Sequence, residues 1–284
     1  MGDPGTLVLL HNLNYDMTTK NHRFTKRELG STKNNRNETR TFDHHCYCRT
    51  FMGFLKRFYR NVLSDSSFTM PGSDFERIPK LEIESHLSVA TYGDFNLTDA
   101  VRPSFDLRIV PRQGYRHDVY RDESSRTSVP VLIASVSADR LFETFIELLD
   151  PLGHVVDVVL ETSHQHSGGN HVDLYREQID LPILKSFLYD FEEMLLNDGC
   201  TGIAVLNPAV PFEVQFDEHK MLIVYAEDLN EFEKILKRHS VVQNESMQFL
   251  TEAEHVHSTK DEYLRQFRQL QTTLGIDEEC PAAY

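Results

Sequence analysis

Apolar positions along the second half of the chain form continuous runs, each followed by a stripe with helical spacing. The run at 131–136 leads through Ser137 into a stripe at 138–149, and the run at 221–225 leads into a stripe at 228–238. Continuous apolar strands followed at once by amphipathic helices are typical of a sheet with helices packed on it. The pattern therefore predicts an α/β protein with a buried sheet.

The remaining periodicities predict further strands and helices. Two more helices are indicated, one that begins near Pro182 and one that is capped by Ser258 with Asp261 and ends at Gly275. From residue 131 onward the predicted order is β-α-β-α-β-β-β-α-(β)-α, which fits a mixed, largely antiparallel sheet with βαβ units, ferredoxin-like in style. Strands are predicted at 86–92, 105–110, 131–136, 154–161, 201–206, 212–216, 221–225 and, more weakly, 246–251.

The distribution of polar residues predicts four parts. Residues 1–51 are poor in apolar periodicity and rich in Asn, Thr, Arg and Lys, which indicates a disordered extension or a mis-called start. Residues 52–75 are predicted to form an amphipathic helix and a linker, and 76–129 to form strands and a polar surface loop at 111–129. Residues 130–284 are predicted to be the main α/β domain.

Charge and cysteine usage narrow the choice of partners and compartment. The net charge is −15; the first 51 residues carry 8 basic against 5 acidic groups, so the remainder carries −18. Such an acidic body repels phosphate backbones, so we expect no nucleic-acid partner. The helix at 52–63 has three basic residues and could bind an anionic membrane surface, although packing on its own sheet is favoured. The four cysteines form neither a disulfide framework nor a zinc pair, which favours a reducing cytoplasm. We therefore expect an acidic, cytoplasmic α/β protein of bacterial style.

The strongest chemical candidate is the polar loop at 162–173. It carries three histidines and a carboxylate within ten residues, a set that can bind zinc or another divalent metal; they are His164, His166, His171 and Asp173. The approach to this loop resembles a metallo-β-lactamase, but the Asp-His pair of that family is replaced by Gly168 and Gly169, which rejects the family. The alternative is a flexible surface loop.

The other polar residues indicate structural roles. Cys200, at the entrance of a strand, is predicted to be buried and inert, and His255 and His257 are predicted to be a solvated approach to the last helix. The sequence has no phosphate-binding glycine loop and no nucleophile elbow. We therefore expect a non-enzymatic module that binds a partner or small ligand, with self-association, and no cofactor. The alternative is a metal-dependent enzyme centred on 164–173, with Glu161 as a base.

Overall fold

A computed structural model describes residues 6–10, 78–122, 127–164 and 172–276 of the chain. The segment predicted as an extension (1–51) lies outside these residues except for a strand at Thr6–Leu10. The amphipathic helix predicted at 52–63 lies wholly outside them. Within the described ranges, no helix combines the length and the apolar content that crossing a membrane requires.

The described residues form twelve strands and six α-helices, and several strands follow one another directly along the chain. The strands are β1 Thr6–Leu10, β2 Thr91–Tyr92, β3 Phe95–Asn96, β4 Val101–Pro103, β5 Gly114–Asp122, β6 Thr127–Ser135, β7 Val155–Thr162, β8 Val172–Asp180, β9 Thr201–Leu206, β10 Glu213–Phe216, β11 Met221–Tyr225 and β12 His255–Lys260. The helices are α1 Lys80–Leu87, α2 Ala138–Leu148, α3 Leu181–Asp190, α4 Glu192–Asn197, α5 Asn230–Arg238 and α6 Asp261–Thr273, with 3-10 turns at Asp150–Leu152 and Leu250–Glu252.

The described strands include a seven-stranded sheet in the order β5-β6-β11-β10-β9-β7-β8. Each neighbouring pair in it is antiparallel. Strands β6 and β7, which α2 connects, run in the same direction, but three other strands lie between them. The predicted mixed α+β fold with a largely antiparallel sheet is confirmed, whereas the βαβ units and the ferredoxin-like arrangement stay predictions.

Helices α2 to α6 cover one face of this sheet. Alternate residues of each strand point to that face, as the two-residue period of a strand requires. Val158, Val205 and Val224 are buried there against Phe145 and Leu188 of the helices. Each large apolar side chain buried in this way contributes about 1.5–3 kcal/mol to folding. On the opposite face, the segment after α5 covers a smaller apolar cluster with Met247 and Phe249.

A second sheet, with the order β1-β12-β4, packs beside the start of β9. The contact passes through Gly199, whose N–H donates to Ser258 O at 2.8 Å. A Cβ atom at Gly199 would lie 2.5 Å from Ala100 O and 2.9 Å from Ser258 O, so a larger residue cannot fit. The close approach brings β12 next to the end of the large sheet.

Several predicted elements before residue 130 are wrong. Residues 86–92, predicted as a strand, include the end of helix α1 and contain only the two-residue strand β2, and 105–110 form a turn and bends. The predicted surface loop at 111–129 contains β5, which pairs with β6 along its whole length, so the sheet extends across the boundary expected at 130. This strand is polar because it lies at an edge of the sheet and buries only some of its side chains, such as Tyr115 and Tyr120. Later in the chain, the strand predicted at 246–251 is also wrong. The strand in this region is β12, which begins only at His255.

Candidate metal centre

Three imidazole rings converge between the two sheets. His219 lies in the turn between β10 and β11, whereas His255 and His257 lie two residues apart on β12 and therefore on one face of that strand. The ring centres of His219 lie 4.9 Å from those of His255 and 4.7 Å from those of His257, and the two β12 rings are 5.0 Å apart. One ligand atom from each ring lies within 4.8 Å of the other two.

Each of the three rings is oriented by a hydrogen bond at Nδ1. The partner of His257 Nδ1 is Gly199 O at 2.6 Å, and that of His255 Nδ1 is Ala253 O at 2.9 Å. A carbonyl oxygen only accepts, so these two Nδ1 atoms carry the proton. His219 Nδ1 lies 2.9 Å from the Asp217 carboxylate. In a neutral ring with a proton on Nδ1, the lone pair is on Nε2, which is the usual state of a metal-binding histidine.

The local sequence fixes the positions of these rings. In the β10–β11 turn, Asp217 Oδ1 accepts from Met221 N at 2.7 Å, and Lys220 has a left-handed backbone with φ of 62°. This holds the Asp217 carboxylate beside His219. On β12, His257 is 1% exposed, and its Nδ1 partner is the Gly199 carbonyl that the close approach of the two segments places there.

The donor set fits a transition metal of the zinc type. Imidazole nitrogens suit zinc, copper, iron and nickel, and three protein ligands with one open position are typical of catalytic zinc sites. Two nitrogens bound to one tetrahedral zinc lie about 3.4 Å apart, as follows from zinc–nitrogen bonds of about 2.0–2.1 Å. The ligand atoms here lie within 4.8 Å of one another, so binding one ion requires them to move closer together.

A second group, formed by His164, Asp198 and Cys200, is arranged differently. The buried Asp198 carboxylate accepts from His164 Nε2 at 2.7 Å and Thr201 Oγ1 at 2.5 Å on one oxygen. Its other oxygen accepts from Cys200 N at 3.2 Å and Thr259 Oγ1 at 2.6 Å. With four hydrogen bonds on its two oxygens, Asp198 serves to orient its neighbours rather than to bind a metal.

The electrostatics of this second group support the same conclusion. Burial raises the pKa of Asp198, but the hydrogen bond and charge of His164 and the charge of Lys220 outweigh it, so that pKa is lowered. Burial and the charge of Asp198 raise the pKa of the Cys200 thiol to about 11. A thiol is a strong metal ligand or nucleophile only as the thiolate. Cys200 is therefore buried, as predicted, with a raised thiol pKa, and its inertness stays a prediction.

Lys220 lies between the two groups. Burial lowers its pKa to about 8, although the charges of Asp198, Asp217 and Glu218 act in the opposite direction. Its Nζ donates to Thr201 O at 2.9 Å. The lysine therefore ties the β10–β11 turn to β9 in a region where nearby carboxylates balance its charge.

Carboxylates also occupy the sheet face opposite the helices, where Glu213 is buried and Glu161 is partly buried. Glu161 lies across from Asp173 on β8 and from Gly202 on β9, where a Cβ would be 3.2 Å from the Glu161 carboxylate. Burial and then the charges of Asp173, Glu218 and Glu213 raise the pKa of Glu161 well above its ordinary value. Burial also raises the pKa of Glu213 to about 7. The role of Glu161 as a base stays a prediction.

The candidate metal ligands predicted in the loop at 162–173 contact different parts of the structure where they are described. His164 contacts Asp198, whereas Asp173 lies opposite Glu161 on the neighbouring strand. His166 and His171 lie outside the described residues, so a metal site in this loop stays a prediction.

Sequence reasoning missed the three-histidine centre. The prediction that His255 and His257 form a solvated approach to a helix is wrong, because both are buried on β12. The available signal was the spacing of two histidines, which places both on one face if the segment is a strand. The segment is short and polar, and nothing local indicated that His219, in a distant turn, lies beside it.

Comparisons with known proteins give no match: no family model, no curated protein and no solved structure matches this chain. The assignment of a function therefore depends on the geometry of the site.

Proposed function

We propose that this protein is a metal-binding module that holds one zinc-type ion on His219, His255 and His257. The observation that carries the proposal is the hydrogen bond between each Nδ1 and an oxygen, which leaves Nε2 of each ring as the nitrogen available to a metal. The proposal keeps the expectation of a ligand-binding module and makes the ligand a metal ion. It replaces the expectation that no cofactor is bound.

A metal titration of the full chain tests this proposal. Tag-free protein is stripped with a chelator and titrated with zinc against a competing indicator. We expect at least one zinc ion per chain, with a Kd below about 1 μM, as three well-oriented imidazoles allow. A chain that takes up no zinc at micromolar concentrations would contradict the proposal.

The substitution Asp217→Asn should weaken zinc binding by about 10–100-fold, the usual effect of removing an outer-shell partner of a histidine ligand. The amide has nearly the size of the carboxylate but lacks its charge. The hydrogen bond to His219 Nδ1 is therefore weaker, and His219 becomes a weaker ligand of the metal. The measurement is the same competitive titration.

A matched control is Asp228→Asn, which removes a carboxylate whose Oδ1 accepts from the Asn230 backbone at the start of α5. We expect unchanged zinc affinity for this variant. Equal affinities for wild type, Asp217→Asn and Asp228→Asn would show that Asp217 does not support a metal ligand.

A metal-dependent hydrolytic enzyme is a second candidate function. Three protein ligands leave a coordination position for water, and a zinc ion lowers the pKa of bound water to about 7. The His219 side chain is 10% exposed. Zinc-dependent hydrolysis of 4-nitrophenyl acetate that is lost in His257→Gln supports this function. Equal rates for the zinc-loaded wild type and the variant would contradict it.

The expected self-association through sheet or helix surfaces, the cytoplasmic location and the ferredoxin-like arrangement are separate proposals. The strongly acidic composition supports solubility and the absence of a nucleic-acid partner. Light scattering of the purified full chain tests self-association, and a monomeric mass at all concentrations would contradict it.

A further inference from the structure

The segment that follows α5 wraps around the β5 edge of the large sheet, and its residues 240–249 are called the strap below. Near its start, Val241 is buried on the helix-covered face of the sheet. Near its end, Met247 and Phe249 are buried on the opposite face, where they cover the smaller apolar cluster. The strap therefore crosses from one face to the other around the edge strand.

The backbone of the strap meets β5 at an isolated parallel bridge between Tyr115 and Gln243. Asn244 N donates to Tyr115 O at 2.7 Å, and Tyr115 N donates to Val242 O at 3.1 Å. The approach is close, because a Cβ atom at Gly114 would lie 3.1 Å from Val242 O. A bridge of this length fixes few residues, so side-chain contacts also hold the strap in place.

His117 on β5 joins the edge strand to both α5 and the strap. Its Nε2 lies 2.7 Å from a carboxylate oxygen of Glu233 on α5, and its Nδ1 lies 2.7 Å from a carboxylate oxygen of Glu245 in the strap. An ionised carboxylate only accepts hydrogen bonds, so both bonds form together only when both ring nitrogens carry a proton. The geometry is therefore that of an imidazolium between two carboxylates.

The electrostatics agree with this geometry. Partial burial disfavours the charged ring, but the hydrogen bonds and charges of Glu245 and Glu233 outweigh it, so the pKa of His117 is raised. The pKa of Glu245 is lowered, first by the hydrogen bond from Gln243 and then by His117. The ring and the strap carboxylate thus favour each other's charged form.

The other surroundings of the ring do not titrate near neutral pH. Tyr115 packs edge-on against His117 with ring centres 5.7 Å apart, and burial and the two glutamates raise the pKa of its phenol. Leu132, opposite His117 on β6, and Val119, the next residue of β5 on that face, are apolar. On α5, the exposed Lys237 lies one turn after Glu233.

Loss of one proton breaks the hydrogen bond on the strap side. Gln243 Nε2 lies 3.3 Å from His117 Nδ1 and can donate to this atom once it carries a lone pair. The remaining proton then stays on Nε2 towards Glu233, and the Glu245 carboxylate faces a lone pair. The contribution of the ring is fully present below the ordinary histidine pKa of about 6.5 and is lost as the pH rises through the raised folded value.

We propose that His117 is a pH-sensitive latch, which holds the strap on the β5 edge more tightly when it is charged than when it is neutral. Opening of the strap uncovers the apolar cluster that Met247 and Phe249 cover. Neither His117 nor its two glutamate partners are ligands of the three-histidine centre, so the latch does not depend on metal binding.

Hydrogen exchange of the full chain in chelator tests the latch at pH 6 and pH 9. Mass spectrometry follows peptides that cover 240–249, and each rate is divided by the intrinsic exchange rate at that pH. We expect the wild-type strap to be about fivefold better protected at pH 6, as the upper range for a partly exposed ion pair allows. His117→Gln has no ring to titrate at this position, so the ratio should fall to about one.

The matched control is His154→Gln, which replaces an exposed histidine before β7 and should keep the wild-type ratio. Glu245→Gln leaves His117 in place but removes the strap carboxylate, so it should lose most of the pH dependence. Equal protection of the wild-type strap at both pH values overturns the proposal, as does a wild-type ratio in His117→Gln. Melting curves establish that the variants are folded; if His117→Gln is not, a wild-type ratio in Glu245→Gln overturns the proposal instead.

Discussion

We expect His257→Gln to remove one equivalent of bound zinc from the full chain. His257 is the most buried of the three ligands, and its ring is fixed by the Gly199 carbonyl at 2.6 Å. Glutamine has a similar size, but its amide does not replace an imidazole nitrogen as a zinc ligand. The loss of affinity should exceed the roughly 10–100-fold that the removal of an outer-shell partner causes. Competitive titration and elemental analysis of dialysed protein measure it.

The matched control for this experiment is His154→Gln, because His154 is exposed and lies before β7. It should retain the zinc content of the wild type. Melting curves in chelator establish that the metal-free variants are folded. If a folded His257→Gln binds as much zinc as His154→Gln, the metal is held elsewhere and the three-histidine centre is wrong.

The substitution Asp198→Ala should lower the free energy of unfolding by about 3–5 kcal/mol, the usual cost of removing one partner from a buried charge pair. Asp198 is fully buried, and four donors, including His164 Nε2 and Thr259 Oγ1, lose their acceptor. These donors remain buried without an acceptor, so the folded variant loses the full free energy of their interaction with water. Urea unfolding measures the change, with the linear dependence on denaturant as the check on a two-state transition.

Asp150→Ala is the control for Asp198→Ala. Asp150 forms an ion pair with Lys185 at 2.5 Å, but its side chain is largely exposed. Exposed pairs contribute about 0–1 kcal/mol, so this variant should be nearly as stable as the wild type. If Asp198→Ala lowers the free energy of unfolding no more than Asp150→Ala does, the four hydrogen bonds to Asp198 do not stabilise the fold as expected.

The same carboxylate should affect the acid limb of the stability curve. The pKa of Asp198 is lowered in the folded state, so its contribution is present above the unfolded pKa of about 3.9 and is lost as the pH falls through the lower folded value. The wild type and Asp198→Ala should therefore differ most at neutral pH and converge in strong acid. A constant difference between pH 7 and pH 2 would indicate that the charge of Asp198 is not involved.

The apolar patterns after residue 130 predicted most of the elements there correctly. Strands β6, β9 and β11 are buried on both faces, so their continuous apolar runs distinguish them from loops. Helices α2 and α5 bury one face, and their stripes are correspondingly clear. The order of the strands was not predictable in this way, because strand neighbours depend on contacts that are distant in the sequence.

Strands β5 and β12 show why other elements were missed. Strand β5 lies at an edge and carries charged residues such as Arg116 and Asp118, so its composition resembles that of a loop. Strand β12 contains His255, His257 and Thr259, which are polar but buried. Buried polar residues depend on hydrogen-bond partners from distant segments, here Gly199 and Asp198, and no local pattern reveals these partners.

X-ray absorption spectroscopy at the zinc edge of the zinc-loaded full chain is the most direct test of the metal centre. The three-histidine centre predicts only nitrogen and oxygen ligands at about 2.0–2.1 Å. The spectrum should also show multiple scattering from three imidazole rings, and this signal should be lost in His257→Gln. A sulfur ligand at about 2.3 Å, or a spectrum without imidazole scattering, would contradict binding by His219, His255 and His257.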